Sequence, residues 1–238
     1  MSTARGTAGP LVAIHQPNYL PWLGYFHKIA TADIFVFLDD VQYSKGSYTN
    51  RVAILERQKS SWLSVPVRVS LGQSINQIEL AKDTWRQSHA DRLFGAYRKA
   101  PAFAEVWEEV RQMLIDGSGD DLAAANINLT KTIATRLGLG CRYIRSSELQ
   151  LNATSDERLV EILSLLAPTG TYLSGKGAAK YQDPMKFERA GLGFRYSAFA
   201  QEPYPQDTAQ FVPGLSVLDA VFHLGWVGAA GILRGPVR

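Results

Sequence analysis

The sequence predicts an α/β fold with a mostly parallel sheet built from βαβ units, and three observations support this prediction. Residues 11–14 are apolar and short enough for a buried strand, and residues 33–40 contain a second such run. Between them, aromatic and aliphatic residues from Trp22 to Ile29 recur at the spacing of one helical face. The same strand, helix, strand order returns in residues 141–175, which favours a parallel, Rossmann-like sheet over a β sandwich.

The remaining elements follow in chain order. Residues 1–10 are small and polar and are predicted to form a disordered tail, while 11–238 are predicted to form one domain. A helical period over about 84–138, interrupted at Gly117–Asp121, predicts a helical lobe in the middle of that domain. Further strands are predicted at 62–69, 74–80, 141–147, 171–175 and 193–199, and further helices at 156–170 and 215–233.

Composition limits the class of protein and its partners. A single cysteine excludes an intramolecular disulfide framework, and the absence of a signal-like start or a long apolar run predicts a cytoplasmic protein without a membrane span. A net charge of +3 without a block of Lys and Arg does not favour nucleic acid, so an anionic small molecule is the preferred partner. The sequence carries no signal for an oligomeric state.

Two polar loops follow the first two predicted strands. Because ligands of parallel sheets bind at the carboxyl ends of the strands, the side chains of both loops are candidate site residues. They offer donors, acceptors and both signs of charge. The first loop contains His15, Gln16, Asn18 and Tyr19, and the second contains Asp39, Asp40, Gln42, Lys45, Asn50 and Arg51.

His15 is the candidate catalytic base, because imidazole exchanges a proton near neutral pH and His15 stands at a strand end beside amide side chains. Lys45 and Arg51 are candidates for holding phosphate or carboxylate. The alternatives are a histidine that bonds its own loop, and ion pairs of Lys45 and Arg51 with Asp39 or Asp40. The neutral residues Gln16, Asn18, Gln42 and Asn50 are predicted to orient a substrate, and Tyr19 to cover a ring.

Asp39 and Asp40 are neighbours, so in extended backbone their side chains point to opposite faces and only one can address the site. That carboxylate would either hold Mg²⁺ or orient Lys45 or Arg51; a purely structural pair is the alternative. No HxxH, HExxH or CxxC spacing is present, so the sequence predicts no zinc site. No cofactor is identified, and the arrangement is compatible with Mg²⁺ and a nucleotide.

A third loop follows the predicted strand at 171–175 and reads SGKGAAKY. Its backbone N–H groups and a lysine suit a phosphate or carboxylate, although the spacing of a Walker motif is absent. A solvated turn is the alternative. The candidate substrate-binding residues here are Ser174, Gly175, Lys176 and Tyr181.

Other conspicuous residues are given structural interpretations. Trp22 and Tyr25 lie at helical spacing and are predicted to pack in the core, and His27 is predicted to be structural. His89 and His223 have no accompanying cluster in the sequence and are set aside.

The chain resembles the WbqC-like protein family over essentially residues 11–232. The resemblance is carried by HQPNYLPWLGYFHKI, ADIFVFLDDVQYSK, TYLSGKGAAKY and PGLSVLDAVFHLG. It implies a role associated with bacterial surface-polysaccharide and related biosynthesis.

Three functions follow as hypotheses. The first is a biosynthetic transferase acting on an activated sugar or similar anionic metabolite, with N-acyl or aminoacyl transfer to an amine as the favoured reaction. The second is a non-catalytic ligand-binding or scaffolding component of a biosynthetic assembly. The third is an ATP-dependent amide-forming ligase, which agrees with a loose, architecture-only likeness of residues 15–33 to nucleotidyltransferase-like enzymes.

Overall fold

A computed structural model describes residues 9–81, 84–117, 119–175, 177 and 182–234. The chain forms two compact units. The sheet unit comprises the described part of Met1–His15 together with Thr31–Leu38 and Cys141–Ala198. The helix-rich unit comprises Gln16–Ala30, Asp39–Gly140 and the described part of Phe199–Arg238.

The strands and helices of the described residues are numbered in chain order. The strands are β1 (Leu11–His15), β2 (Ile34–Phe37), β3 (Arg51–Glu56), β4 (Lys59–Ser64), β5 (Val67–Arg68), β6 (Glu79–Leu80), β7 (Arg142–Arg145), β8 (Thr171–Ser174) and β9 (Gly193–Tyr196). The helices are α1 (Leu23–Thr31), α2 (Thr84–Tyr97), α3 (Phe103–Ile115), α4 (Leu122–Arg136), α5 (Ser155–Leu166), α6 (Pro184–Arg189) and α7 (Val217–Arg234).

The sheet unit is built on a five-stranded sheet in the order β7-β2-β1-β8-β9, and every pair in it is parallel. Counted by their appearance in the sheet, the strands lie in the order 3-2-1-4-5. This is a Rossmann-like arrangement, in which the direction of strand addition reverses beside the first strand. The reversal falls between β1 and β8, and the predicted fold class is confirmed.

One face of this sheet packs on α5 and α6. Val12, Ile14 and Val36 point to this face and are almost fully buried together with Ile162 and Leu163 of α5. The opposite face carries Phe35, Phe37 and Tyr143, whose rings contact one another. Since both faces are covered, the central strands are continuous apolar runs rather than alternating ones, which is typical of parallel sheets.

The helix-rich unit contains two small hairpins and five helices among its described residues. Strands β3 and β4 pair in antiparallel fashion, and so do β5 and β6. Helices α2, α3 and α7 meet through an aromatic cluster: Phe103 stacks on Trp107, and Tyr97 stacks on Phe222, with ring centroids 5.0 Å and 4.8 Å apart. The helical period predicted over 84–138 is confirmed by α2, α3 and α4.

Three predicted elements differ in the structure. The strand predicted at 62–69 is divided into β4 and β5, because Pro66 has no N–H to donate to a ladder. Residues 74–80 form a 3₁₀ turn, Ile75–Gln77, before the two-residue β6. The C-terminal helix α7 is kinked at Gly225, whose φ of 69° lies in the left-handed region that glycine adopts without strain.

Two further observations concern Arg51 and the character of the helices. Arg51, predicted to lie in a loop, is the first residue of β3. None of the helices in the described ranges combines the length and apolar character that a membrane span needs. The prediction of one domain over 11–238 is not tested by the division into units and stays a prediction.

Candidate functional site

The carboxyl edge of the sheet is the candidate site of the sheet unit. His15 ends β1 and lies opposite Phe37 of β2, which in turn lies opposite Arg145 at the end of β7. On the other side of β1, strand β8 ends at Ser174. The ends of β1 and β8 therefore lie side by side where the strand order reverses, which is where open α/β sheets bind their ligands.

His15 is held by its backbone at this edge. Its carbonyl oxygen accepts a hydrogen bond of 2.8 Å from the backbone N–H of Leu38, and its side chain is half-buried. Because Ile14 points toward the α5 face, the alternation of a strand directs His15 to the opposite face. The structure thus places the predicted base at the end of the central strand, on the face that also carries Phe37.

Arg145 is a charged residue of this edge that the sequence analysis missed. Its register with Phe37 and His15 puts the three residues in one row on the same face. Two strand spacings separate Arg145 from His15, or roughly 10 Å. Its position at the end of the predicted strand 141–147 was the signal that could have identified it, since charge at that end of a parallel strand faces the ligand edge.

Ser174 fastens the loop that follows β8. Its side chain is fully buried, and its hydroxyl donates to the side-chain oxygen of Gln182. The amide nitrogen of Gln182 in turn donates to the hydroxyl of Tyr172 over 3.1 Å, and burial raises the pKa of that phenol. Ser174 and Gln182 therefore join the two ends of the loop that carries the predicted phosphate-binding residues.

Gly175, like Gly177, is a described residue of this loop that leaves room for a ligand. A Cβ added to it would meet no atom within 4 Å, so its backbone is accessible from that side. Lys176 and Tyr181, which were predicted to bind substrate, lie outside the described residues. Beyond the loop, Asp183 caps α6 through a bond of 3.0 Å from the N–H of Met185.

The loop after β1 belongs to the helix-rich unit and is held there by backbone contacts. The carbonyl of Gln16 accepts a bond of 3.0 Å from the hydroxyl of Tyr25, and Asn18 is 8% exposed. The side-chain amide of Asn126 donates to the carbonyls of Pro17 and Thr49 over 2.9 Å and 2.6 Å. Asn126 thereby ties this loop to the loop at 43–51 in a fixed geometry.

The predicted residues at 39–45 differ in their accessibility. Asp39 is fully buried, and its carbonyl accepts the N–H of Asn76 over 2.9 Å. Asp40 is half-buried, whereas Gln42 and Lys45 are exposed. Within the described ranges, no group of three His, Cys, Asp or Glu side chains is placed to hold a metal ion.

Asn50 and Arg51 lie beside an exposed aromatic pair. The guanidinium carbon of Arg51 lies 4.2 Å from the ring centre of Trp62, which is a cation–π contact. The Nε atom of Arg51 is buried and has no hydrogen-bond partner within the described ranges. The amide nitrogen of Asn50 donates to the carbonyl of Val65 over 3.2 Å. Trp62 and its neighbour Tyr48 are 44% and 56% exposed, so this group of residues forms an accessible polar and aromatic surface.

Tyr19 and His89 form a buried hydrogen-bonded pair that the sequence analysis did not identify. The Nε2–H of His89 donates to the carbonyl of Ser64 over 3.1 Å, so the Nδ1 atom accepts from the hydroxyl of Tyr19 over 2.8 Å. Burial lowers the pKa of His89 to about 4, and burial also raises the pKa of Tyr19 far above its usual range. His89 was set aside for lack of a cluster, but its ring also contacts Trp85. Tyr19 and Ser64 are distant in sequence from His89, which is why spacing did not show these two partners.

Asp219 organises a second buried network, and His223 belongs to it. The fully buried carboxylate of Asp219 accepts from the hydroxyls of Tyr97 and Tyr204 over 3.0 Å and 2.7 Å, and from the amide of Gln206 over 2.8 Å. His223 bonds the carbonyl of Asp219 through Nδ1 over 2.8 Å. Asp219 lies in the first turn of α7, and His223 has partners that the sequence did not reveal.

Of the two aromatic residues near α1 that were predicted to pack in the core, one is buried and the other is exposed. Tyr25 is buried, as predicted, but Trp22 is 38% exposed and meets the edge of Phe199. The prediction of a core Trp22 is wrong, because helix α1 begins only at Leu23 and Trp22 pairs instead with Ser216 in a β-bridge. His27 stacks on Phe199 and bonds the carbonyl of Leu233 over 2.9 Å, which agrees with a structural role.

Comparisons with known proteins identify the family. The uncharacterized protein Rv1507c of Mycobacterium tuberculosis (strain ATCC 25618 / H37Rv) is 32% identical to this chain over 219 residues, which cover 90% of this chain and 94% of that protein. The model of the WbqC-like protein family matches residues 16–230. This match includes the second polar loop, the first polar loop except His15, the helices α1 to α6 and most of α7, and the chain belongs to the WbqC-like protein family.

Proposed function

We propose that the protein is a transferase that binds an activated sugar or a similarly anionic metabolite at the carboxyl edge of its sheet. The observation that carries this proposal is the strand order, which sets the ends of β1 and β8 side by side at the point of reversal. Ligands of Rossmann-like sheets bind at that point. His15 and Gly175 stand at or next to the two strand ends concerned.

The charges and donors at this edge suit an anionic ligand. Arg145 offers a planar guanidinium, which pairs with phosphate or carboxylate in a bidentate manner. The open backbone at Gly175 lets a phosphate approach N–H groups closely, as glycine-containing loops do in other phosphate sites. Both features lie in the same unit as His15: Arg145 is the last residue of β7, and Gly175 directly follows β8 of the same sheet.

His15 is the proposed base of the reaction. In N-acyl or aminoacyl transfer, the amine nitrogen bonds to the activated carbonyl carbon, and the bond from that carbon to its activating group breaks, so that this group leaves with the bonding electron pair. An imidazole at the site accepts the proton that the amine loses. The choice of acyl transfer within the transferases, and the biosynthetic setting, rest on the resemblance to the family.

A thermal-shift screen tests the binding step. The purified protein is heated with nucleotides, nucleotide sugars, acyl-CoAs and amino acids, with and without Mg²⁺. A ligand at about 100 times its Kd stabilises the folded state by about 2.7 kcal/mol, which is a readily measured shift in Tm. We expect a hit among the phosphorylated compounds, and Arg145→Ala should remove most of that shift.

Arg142→Ala is the matched control, because Arg142 is an exposed arginine at the opposite end of the same strand β7. It should leave the shift unchanged. A screen without any hit, or a hit that Arg142→Ala and Arg145→Ala weaken equally, would contradict binding at the carboxyl edge.

His15→Ala then separates catalysis from binding. With the ligand of the screen and a panel of amines, this variant should lose turnover while it retains affinity, because removal of a base affects the transition state more than the bound substrate. A protein that binds the ligand without turnover in its wild-type form would instead support the non-catalytic alternative.

A further inference from the structure

A concave region lies entirely within the helix-rich unit. It encloses about 1060 Å³, at the upper end of the range for small-molecule sites. The turn of the β3–β4 hairpin, the C-terminal part of α2 and His223 of α7 surround it. Its described lining is Leu55, Glu56, Arg57, Gln58, Lys59, Ser60, Ser61, Arg92, Gly95, Ala96, Tyr97, Arg98, Lys99, Asp207 and His223.

The charge of this basic cavity is strongly asymmetric. Glu56 is engaged by Arg92, whose guanidinium donates to both carboxylate oxygens over 2.6 Å and 3.1 Å. The other cations of the lining are Arg57, Lys59, Arg98 and Lys99, and Asp207 is the carboxylate that remains to oppose them. An excess of positive charge in a concave region attracts anions and raises their local concentration.

The hairpin turn presents Arg57 to this cavity in a strained conformation. Arg57 and Gln58 have φ angles of 50° and 63°, so both lie in the left-handed region. Two-residue hairpins of this geometry usually carry Asn, Asp or Gly, because larger side chains are disfavoured there. A backbone conformation that is costly for these residues occurs preferentially at functional positions.

His223, which α7 contributes to the lining of the basic cavity, carries a hydrogen-bond acceptor. The Nδ1–H of His223 donates to the carbonyl of Asp219, and in the neutral tautomer with this proton the Nε2 atom carries a lone pair that can accept a hydrogen bond. This Nε2 atom is buried and has no hydrogen-bond partner among the described residues, and His223 as a whole is 6% exposed. A ligand hydroxyl group would satisfy this acceptor.

We infer that the basic cavity is a binding site for a phosphorylated, hydroxyl-bearing small molecule such as a sugar phosphate. The cations of the hairpin and of α2 would hold the phosphate, and His223 would accept from a hydroxyl. The lining has few aliphatic side chains, Leu55 and Ala96, which fits a polar ligand better than an acyl chain. This site is additional to the one proposed at the sheet edge and does not depend on it.

Calorimetric titration with glucose 1-phosphate and with inorganic phosphate, at constant ionic strength, tests this inference. The decisive variant is Arg57→Gly, which removes the cation and at the same time relieves the left-handed strain at this position. Its fold is therefore not at risk. We expect it to weaken glucose 1-phosphate binding about tenfold or more, as loss of a charge-assisted hydrogen bond does.

Gln58→Gly is the matched control, since it relieves the same strain in the same turn without a change in charge. It should leave the affinity unchanged. A second variant, His223→Phe, should weaken glucose 1-phosphate several-fold while inorganic phosphate binds as before, because only the sugar offers a hydroxyl to Nε2.

Three results would overturn the inference. They are no measurable binding of glucose 1-phosphate, equal affinity of Arg57→Gly and Gln58→Gly, and inorganic phosphate binding as tightly as the sugar phosphate. Binding that responds to Arg145→Ala but not to Arg57→Gly would place the ligand at the sheet edge. That result would contradict the basic cavity and support the proposed function, so the two failures are distinguishable.

Discussion

His89 and His223 are both buried histidines of the helix-rich unit, but their ring nitrogens are used differently. Both nitrogens of His89 are engaged, one by Tyr19 and the other by the carbonyl of Ser64. His223 uses one nitrogen for the carbonyl of Asp219, and its other nitrogen, in a residue that borders the basic cavity, has no hydrogen-bond partner in the described part of the chain. A buried imidazole with both nitrogens bonded serves the fold, whereas a buried nitrogen without a partner beside a cavity indicates a ligand.

The surroundings of the two rings sharpen this contrast. His89 packs against the rings of Tyr19 and Trp85, and burial makes its neutral form the stable one at physiological pH. His223 lies beside Asp219, whose carboxylate oxygen is 3.8 Å from Nδ1, and it borders a cavity rich in cations. The two sites can be separated by variants that affect one and spare the other.

Asp219→Asn is expected to have the largest effect, because it disturbs the network that holds His223 in place. Three donors converge on this carboxylate, and an amide in its place offers one acceptor oxygen and opposes the other donors with its own N–H groups. We expect a loss of about 3 kcal/mol in the free energy of unfolding, measured by urea denaturation. Asp207→Asn, at an exposed position, should change it by less than about 0.5 kcal/mol. Equal effects of the two variants would contradict the network.

The pH dependence of stability tests the assignment of His89. Its pKa is about 4 in the folded protein and about 6.5 in an unfolded chain, so the unfolded state binds the proton more tightly. The neutral ring therefore contributes its full stability above pH 6.5, and this contribution is lost as the pH falls from 6.5 to 4. The expected loss is about 3 kcal/mol across this window.

His89→Gln provides the control for this titration. It cannot titrate, so the difference between wild type and variant in the free energy of unfolding should decrease toward pH 4, while other titrating groups affect both proteins alike. A difference that stays constant from pH 6.5 to 4 would show that His89 is not held neutral.

Tyr19→Phe tests the other side of the same pair. Loss of the hydroxyl leaves the Nδ1 atom of His89 buried without a donor, which should cost about 2 kcal/mol in the free energy of unfolding. Tyr48→Phe, which removes a hydroxyl from a ring that is 56% exposed, should cost less than about 0.5 kcal/mol. If Tyr19→Phe and Tyr48→Phe have the same free energy of unfolding in thermal and urea denaturation, this result would contradict the hydrogen bond between Tyr19 and His89.

His223→Asn should have the smallest effect on stability. The asparagine amide can still donate to the carbonyl of Asp219, and the nitrogen that is lost has no partner to leave unsatisfied. We expect a change of about 1 kcal/mol in the free energy of unfolding, most of it from lost packing. A loss as large as that of Asp219→Asn would mean that His223 is structural in the same sense as His89.

The sequence was sufficient for the local elements and insufficient for contacts between distant residues. The runs 11–14 and 171–174 lie in strands β1 and β8, as predicted, because a buried parallel strand is recognised by its own apolar residues. Strand β3 was not predicted. It begins at Arg51, directly after the polar loop, and the sequence analysis had assigned Arg51 to that loop. The reversal of strand order beside β1 depends on pairing between residues far apart in the chain, which no local pattern encodes.

The candidate site shows the same difference between local features, which the sequence predicts, and contacts between distant residues, which it does not. His15 was predicted from its position at a strand end, and the structure places it there. Arg145 was missed although its strand was predicted, because its row with His15 requires the pairing through β2. The two buried networks also join residues that are far apart in the chain: Tyr19 is 70 residues from His89, and Tyr97 is 122 residues from Asp219.

The most direct test of the central proposal is nitrogen-detected NMR of the imidazole side chains, because the chain has only four histidines. Spectra are recorded before and after addition of the ligand that gives the largest shift in the thermal screen. If an anionic metabolite binds at the carboxyl edge of the sheet, the ring nitrogens of His15 will shift on addition of the ligand, while those of His89 will keep the signature of a neutral ring protonated at Nε2. Unchanged His15 signals in the presence of saturating ligand would contradict binding at that edge.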